Sequence, residues 1–236
     1  MLMPFLLSGQ KIVPEAPPEG SAYETLLNTF LGTYTGACWP LDDAVASETV
    51  RELTETYAGT PSASGITFQS DGPTINGEVL KSATFASGSI LIPYTTAATS
   101  HTFSVWFNTT TAPDSAVTYC FFDTQTGRLI FGHRNTTHYI AVYSASWQSY
   151  GSQPSANNWH HIAFVANGSS NLCRVYVDGS QLGSDLTYTS RAIGGTTRLG
   201  AAYTSASFFA GRLAYAALFD VALSESEVIA LYNGYT

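Results

Sequence analysis

The side chains in this chain that could do chemistry are its carboxylates and histidines, and their spacing speaks against catalysis. Cleaving a glycosidic bond takes two carboxyl groups roughly 5–10 Å apart across it. All the glutamates (Glu15, Glu19, Glu24, Glu48, Glu52, Glu55, Glu78, Glu225 and Glu227) lie outside residues 79–224. The aspartates inside that span, Asp114, Asp123, Asp178, Asp185 and Asp220, are scattered, and no Glu-x-Asp-x-x-Glu run occurs. Asp178 precedes Gly179 and suits a turn, and Asp220 suits the last turn. His160 and His161 invite a metal or general-base role, but neighbours on a strand point to opposite faces and cannot chelate one ion together. One is expected in the core and the other at the surface or an interface. No Gly-x-Ser-x-Gly elbow or phosphate loop is present, and a Cys–His pair lacks a third orienting group. Asp42 and Asp43, or Asp123 with loop carbonyls, could offer oxygens to a structural calcium, against the alternative of solvated surface acids, because no dense acidic loop surrounds them. The expectation is a protein that is not an enzyme, with no catalytic residue, metal ligand or cofactor.

Two segments suggest binding instead. In Tyr139-Ile140-Ala141-Val142-Tyr143-Ser144-Ala145-Ser146-Trp147 the alternation puts Tyr139, Tyr143 and Trp147 on one face, extended by Tyr150, and sends Ile140 and Val142 to the core. Such a stripe could stack on sugar rings, anchor a protein interface, or lie under another layer of the fold. The second segment is the leader, residues 1–20, in which Pro14, Pro17 and Pro18 stiffen an extended arm with an apolar tip. Leu2, Phe5, Leu6 and Leu7 are its candidate anchoring residues toward a partner, the alternative being an arm folded back on its own domain.

The elements that must position these residues read as all-β. Only 11% of the 236 residues are charged, and short apolar segments alternate with Gly, Ser, Thr and Asn. Strands are expected near 78–86, 89–93, 102–108, 116–123, 128–133, 138–145, 159–167, 173–178, 196–202 and 208–219, enough for two packed antiparallel sheets. Asp178-Gly179 predicts a two-residue hairpin turn with positive φ. Ser21 to Glu24 has capping-box spacing, and Leu26, Leu27 and Phe30 recur helically, which predicts a helix over 22–31. A second helix is expected over Ser47–Tyr57, and a capped C-terminal one from Ser224. The division is an arm, 1–20, and one domain, 21–236.

Composition excludes several partners. With a net charge of −8 and only Lys11 and Lys81 as lysines, phosphate backbones and anionic membranes are poor targets. The apolar start is too short for a membrane span and lacks the basic region of a signal peptide. Cys38, Cys120 and Cys173 show no metal spacing; three buried reduced thiols are expected, one disulfide being the alternative.

The run Trp159-His160-His161-Ile162-Ala163-Phe164-Val165, followed by Cys173-Arg174-Val175-Tyr176-Val177-Asp178-Gly179, resembles the signature of laminin-G-like members of the concanavalin A-like superfamily. Ala37-Cys38-Trp39-Pro40-Leu41-Asp42-Asp43 is similar to the family's opening strand, Phe103-Ser104-Val105-Trp106-Phe107 to its first long core strand, and Gly211-Arg212-Leu213-Ala214 with Phe219 to Ser224 to its close. Cys38 and Ala214-Tyr215-Ala216 depart from the family pattern. The resemblance covers about residues 22–236 and implies a concanavalin A-like jelly-roll β-sandwich with short terminal helices. By the same analogy it suggests a bacteriophage virion structural protein: a capsid decoration, head-fibre or tail-fibre component anchored by its arm to other virion proteins and sister subunits. Such a protein would be a homo-oligomer on the virion surface, made in the host cytoplasm, and would present a lectin-like sandwich to host glycans. The alternative is a free-standing, extracellular carbohydrate-binding module or lectin.

Overall fold

A computed structural model describes residues 20–45, 47–109, 119–126, 129–134, 139–144, 147–152 and 154–235. The anchoring residues Leu2, Phe5, Leu6 and Leu7 lie outside the described residues. The chain opens with helix α1 (Ala22–Thr33), then runs through β1 (Gly36–Trp39), β2 (Thr60–Pro61), β3 (Ile66–Ile75), β4 (Glu78–Phe85), β5 (Ile90–Ile92) and β6 (His101–Asn108). It continues as β7 (Tyr119–Thr126), β8 (Leu129–Arg134), β9 (Tyr139–Ser144), β10 (Trp147–Ser152), β11 (His160–Asn167) and β12 (Leu172–Val177). The short β13 (Ser180–Gln181) and β14 (Leu186–Thr187), then β15 (Gly194–Leu199), β16 (Gly211–Phe219) and helix α2 (Glu225–Asn233), complete it. The strands form two antiparallel sheets. One is ordered β13-β12-β11-β6-β16-β4-β3, with β1 added on β16 and β14 on β12; the other is ordered β10-β9-β8-β7-β15-β5-β2.

Three layers result, because the larger sheet is apolar on both faces. Along β6, Phe103, Val105 and Phe107 point to the second sheet, where they meet Phe121, Phe122, Ile140 and Val142. Trp106 of the same strand points the other way, into a core shared with Tyr23, Leu27 and Phe30 of α1 and Val228 and Leu231 of α2. One hydroxyl ties this layer together: Tyr23 donates to the Leu231 carbonyl at 2.9 Å and accepts from Trp106 Nε1 at 3.1 Å. Each large side chain buried this way contributes about 2–3 kcal/mol. No helix among the described residues is long and apolar enough to cross a membrane.

Local signals were followed closely where they were strong. The hairpin turn after β12 has φ +49° at Asp178 and +76° at Gly179. Helix α2 carries the full capping box, with Ser224 accepting from Glu227 N–H and Glu227 reaching back to Ser224 N–H at 2.7 Å. Helix α1 forms half of its box: Ser21 caps Glu24 N–H at 3.0 Å, but the Glu24 carboxylate leaves for Arg51 at 2.7 Å. The three cysteines are buried free thiols.

Residues 47–57 are not helical, contrary to the expectation from their glutamate spacing. Val50 instead bridges to Gly59, and the nearly inaccessible Glu52 organises the loop from within. Its Oε1 accepts from Cys38 N–H and Thr54 N–H, both at 3.0 Å, and its Oε2 accepts from Thr56 N–H at 3.2 Å and Tyr57 N–H at 3.3 Å. A carboxylate gathering so many backbone donors stabilises the loop more than one helical turn of mixed Thr and Glu could. The strand over 66–75 was not expected, because Asp71, Gly72 and Pro73 break its apolar alternation. It survives as an edge strand, where bulges and proline are tolerated.

Two consequences for stability follow. Glu52→Ala strands these donors without a partner and is expected to lower the unfolding free energy by ~3 kcal/mol or more in denaturant titrations. His161 is fully inaccessible beside Trp106 and Tyr232, and burial lowers its pKa to about 3; burial also lowers that of His101. The folded state therefore holds His161 neutral while the unfolded chain takes up a proton below about pH 6.5. Stability from this group is complete above that pH and declines as pH falls toward 3. Unfolding curves between pH 6.5 and 5 should show the decline, and His161→Gln should remove up to about 1.4 kcal/mol per pH unit of slope.

Candidate functional site

The two sheets differ in what covers them. The larger has a sheet on one side and helices on the other, whereas neither helix packs on the outer face of the smaller one. Cross-strand register builds a row across that outer face. Leu91 of β5 stands opposite Arg198 of β15, and Arg198 opposite Asp123 of β7. Asp123 stands opposite Ile130 of β8, Ile130 opposite Tyr143 of β9, and Tyr143 opposite Trp147 of β10. Directly opposed residues share a face, so six strands contribute to one line.

Of the aromatic stripe expected from sequence, the side chain of Tyr143 is described, while those of Tyr139 and Trp147 lie outside the described residues. Tyr139, Ala141 and Tyr143 occupy alternate positions of β9, with Ile140 and Val142 turned into the core as expected. Tyr143 is half-buried, packed against Cys120 and Ala202. Trp147 follows by register alone. Tyr150 does not join them. The pairing slips at a bulge between Ser149 and Gly151, and Tyr150 turns into the sandwich with its hydroxyl 2.6 Å from Cys173 Sγ. Burial raises its pKa well above the ordinary tyrosine value.

A residue that sequence reasoning passed over stands beside the stripe. The loop from Gly200 to Ala210 folds back over β7 and β15, held by the two charged members of the row. The fully inaccessible Asp123 accepts from Tyr203 N–H through Oδ2 at 2.9 Å. Arg198 donates from Nε to the Tyr203 carbonyl at 3.2 Å and from Nη1 to Ser89 Oγ at 3.0 Å. Nothing local in Ala201-Ala202-Tyr203-Thr204-Ser205 announces this: Arg198 closes a bond over five residues, but Asp123 comes from a strand 80 residues away.

The other candidates have structural partners. His160 Nδ1 lies 2.7 Å from Asp178 Oδ2, and His160 Nε2 lies 3.3 Å from Ser155 Oγ. That order resembles a catalytic relay, but Nε2 is shared with the Ser155 carbonyl at 3.2 Å, and Ser155 Oγ accepts from Asn158 at 3.0 Å. The three residues thus fasten the 154–158 loop to the hairpin, with Asp178 Oδ1 also accepting from His161 N–H at 2.9 Å. His161 turns to the helix side, where Nε2 meets Ser104 Oγ at 2.7 Å, so the two histidines diverge as expected. Asp220 accepts from Tyr94 at 2.9 Å and Thr96 at 2.6 Å.

Asp42 and Asp43, weighed as calcium ligands, gather around Arg51 instead. Arg51 Nη2 contacts Asp42 Oδ2 and Glu24 Oε1, both at 2.7 Å, and its N–H donates to Asp43 Oδ1 at 2.8 Å. They line a cavity of about 480 Å³ with Tyr215, Glu78 and Lys81. Desolvation raises the Asp43 pKa. Among the described residues no group of three or more His, Cys, Asp or Glu side chains could hold a metal ion.

A two-sheet antiparallel sandwich of this kind is a lectin-like β-sandwich. A laminin-G model of the concanavalin A-like lectin/glucanases superfamily matches residues 82–229, more than half the chain, and the chain belongs to that superfamily. A search of curated proteins finds no match. Among solved structures, domain 4 of AbnA, a GH43 extracellular arabinanase from Geobacillus stearothermophilus in complex with arabinotriose, superposes with TM-score 0.59 at 18% identity, covering 83% of this chain and 97% of that one. Trypanosoma rangeli sialidase in complex with sialic acid gives 0.59 at 12% identity over 83% of this chain, which spans only 32% of the sialidase. A putative carbohydrate binding protein from Bacteroides ovatus gives 0.53 at 14% identity, covering 63% of this chain and 45% of that one. At these identities the likeness is one of fold.

Proposed function

We propose that this chain is a non-catalytic carbohydrate-binding domain. The observation that carries the proposal is the outer face of the smaller sheet, where a row with Tyr143 and the Trp147 position at one end lies free of helices. Sugar rings stack on such side chains while their hydroxyls pair with neighbouring polar groups. Solved structures of the same fold include a domain in complex with arabinotriose and a putative carbohydrate binding protein, which supports the reading. The non-catalytic part rests on the row itself, which carries Asp123 as its one carboxylate, buried and engaged with a backbone amide, where hydrolysis takes two.

Affinity measurements against arabinan, glucan, galactan and sialylated oligosaccharides test the proposal. Binding is expected for at least one of them, with a loss of about tenfold for Tyr143→Ala or Trp147→Ala, the size of one aromatic contact. A folded protein that binds none of the panel sinks it.

The leader favours a second reading, display on a virus particle. Its composition, with apolar Leu2, Phe5, Leu6 and Leu7 ahead of Pro14, Pro17 and Pro18, suits docking on a particle or on sister subunits. Removing residues 1–20 should then abolish oligomers in light scattering, and co-sedimentation with particles, while the domain stays folded. Identical monomers with and without the arm count against this reading.

A further inference from the structure

We infer that Tyr203 is a ligand-contacting residue of the carbohydrate face, that Asp123 and Arg198 are its positioning residues, and that the ligand is a neutral saccharide. This inference rests on the carbohydrate-binding proposal and extends it to one loop and one ligand class.

Two opposite charges converge on one loop residue. Asp123 and Arg198 are opposed across β7 and β15, and each turns to the same residue: Asp123 Oδ2 takes the Tyr203 N–H at 2.9 Å, and Arg198 Nε supports the Tyr203 carbonyl at 3.2 Å. Both backbone polar groups of Tyr203 are therefore held from below by side chains of opposite charge. Burying a carboxylate completely is costly unless it is hydrogen-bonded or paired, and Asp123 is fully inaccessible with the Tyr203 amide as a partner. A loop needing only attachment has cheaper means, and this one already uses them: Ser207 accepts from Cys120 N–H at 3.2 Å, and Phe209 N–H donates to Gly200 at 2.8 Å. The charged clamp adds a fixed height and orientation for one residue above the sheet.

Strain in the same loop points the same way. Ser205 and Ser207, neither of them glycine, have φ of +57° and +53°. Backbone in this region costs about 1 kcal/mol or more per residue and persists where surrounding structure over-determines it, commonly at ligand clamps. Ala202, next to Tyr203, packs on Tyr143, so the clamped residue sits beside the stripe. Tyr203 is half-buried, leaving part of it open to solvent.

Charge sets the ligand class. In the row, Arg198 stands opposite Asp123 by register; Asp123 is turned to the loop backbone and Arg198 is shared between that backbone and Ser89, so among the described side chains of the row no cation is left over to recognise a sugar acid. The net charge of −8 repels anionic glycans further. Neutral pyranose or furanose oligosaccharides fit a face of tyrosines with balanced charge.

The test titrates the full chain and its variants with neutral oligosaccharides (arabinan, glucan and galactan fragments) and acidic ones (sialyllactose, oligogalacturonate), and follows amide hydrogen exchange at Tyr203. Neutral binding is expected, reduced about tenfold by Tyr203→Ala and held within about threefold by Tyr203→Phe, because the ring makes the contact. Arg198→Met should speed exchange at Tyr203 and weaken binding by a smaller factor. Asp123→Leu should do the same, and Asp123→Asn, which keeps an acceptor oxygen, should restore both; Arg198→Met carries this arm if the Asp123 variants fail to fold. Binding unchanged in Tyr203→Ala but lost in Tyr143→Ala overturns the inference and leaves the carbohydrate reading standing. Binding of acidic glycans alone overturns the ligand class. A chain that binds neither kind overturns both readings.

Discussion

The structure depends on one constraint: its central sheet is apolar on both faces and has to be covered twice. Strands β6, β11 and β16 send Phe103, Phe164 and Leu218 to one side and Trp106, Val165 and Phe219 to the other. A second sheet satisfies the first set and the two terminal helices the second. Because the helices are committed to that task, the outer face of the smaller sheet is left to loops. The location of the candidate site follows from this division of the apolar surface.

Buried polar groups mark where the apolar logic is overruled. Glu52 replaces a helix with a loop by collecting backbone donors, Asp123 holds a loop over the open face, and His161 sits neutral between β6, β11 and α2. Each is affordable because a partner is supplied: amides for the carboxylates, the Ser104 hydroxyl for the imidazole. Groups weighed for chemistry or for calcium have structural partners. Asp178 and His160 pin a hairpin to a loop, and Asp42 and Asp43 surround Arg51.

Membership of the concanavalin A-like superfamily supplies the scaffold, and function rests on what this chain grafts onto it. The outer face of the smaller sheet combines the half-buried Tyr143 with Asp123 and Arg198 opposed across one register step, and the carbohydrate-binding proposal rests on that arrangement.

Local elements and the class of fold were legible in the order of residues alone. Ser21, Ser224 and Asp178-Gly179 set caps and a turn through interactions within a few residues, and the Trp159 to Gly179 run marked the family. Alternation in β9 placed Ile140 and Val142 inward and kept Tyr143 outward, since a period of two needs no tertiary information. Only the tertiary structure decided the rest. Glu52 could not be seen as a loop centre until β1 was brought beside it. Tyr150 was lost from the stripe through a bulge that exists only against β9. Tyr203 came to lie beside the stripe because Asp123 and Arg198, distant along the chain from each other, became neighbours across two strands. Spacing along a chain reports hydrogen bonds that close locally, whereas the bond from Tyr203 to Asp123 and the cross-strand row close between strands, and those have no signature until the sheet forms.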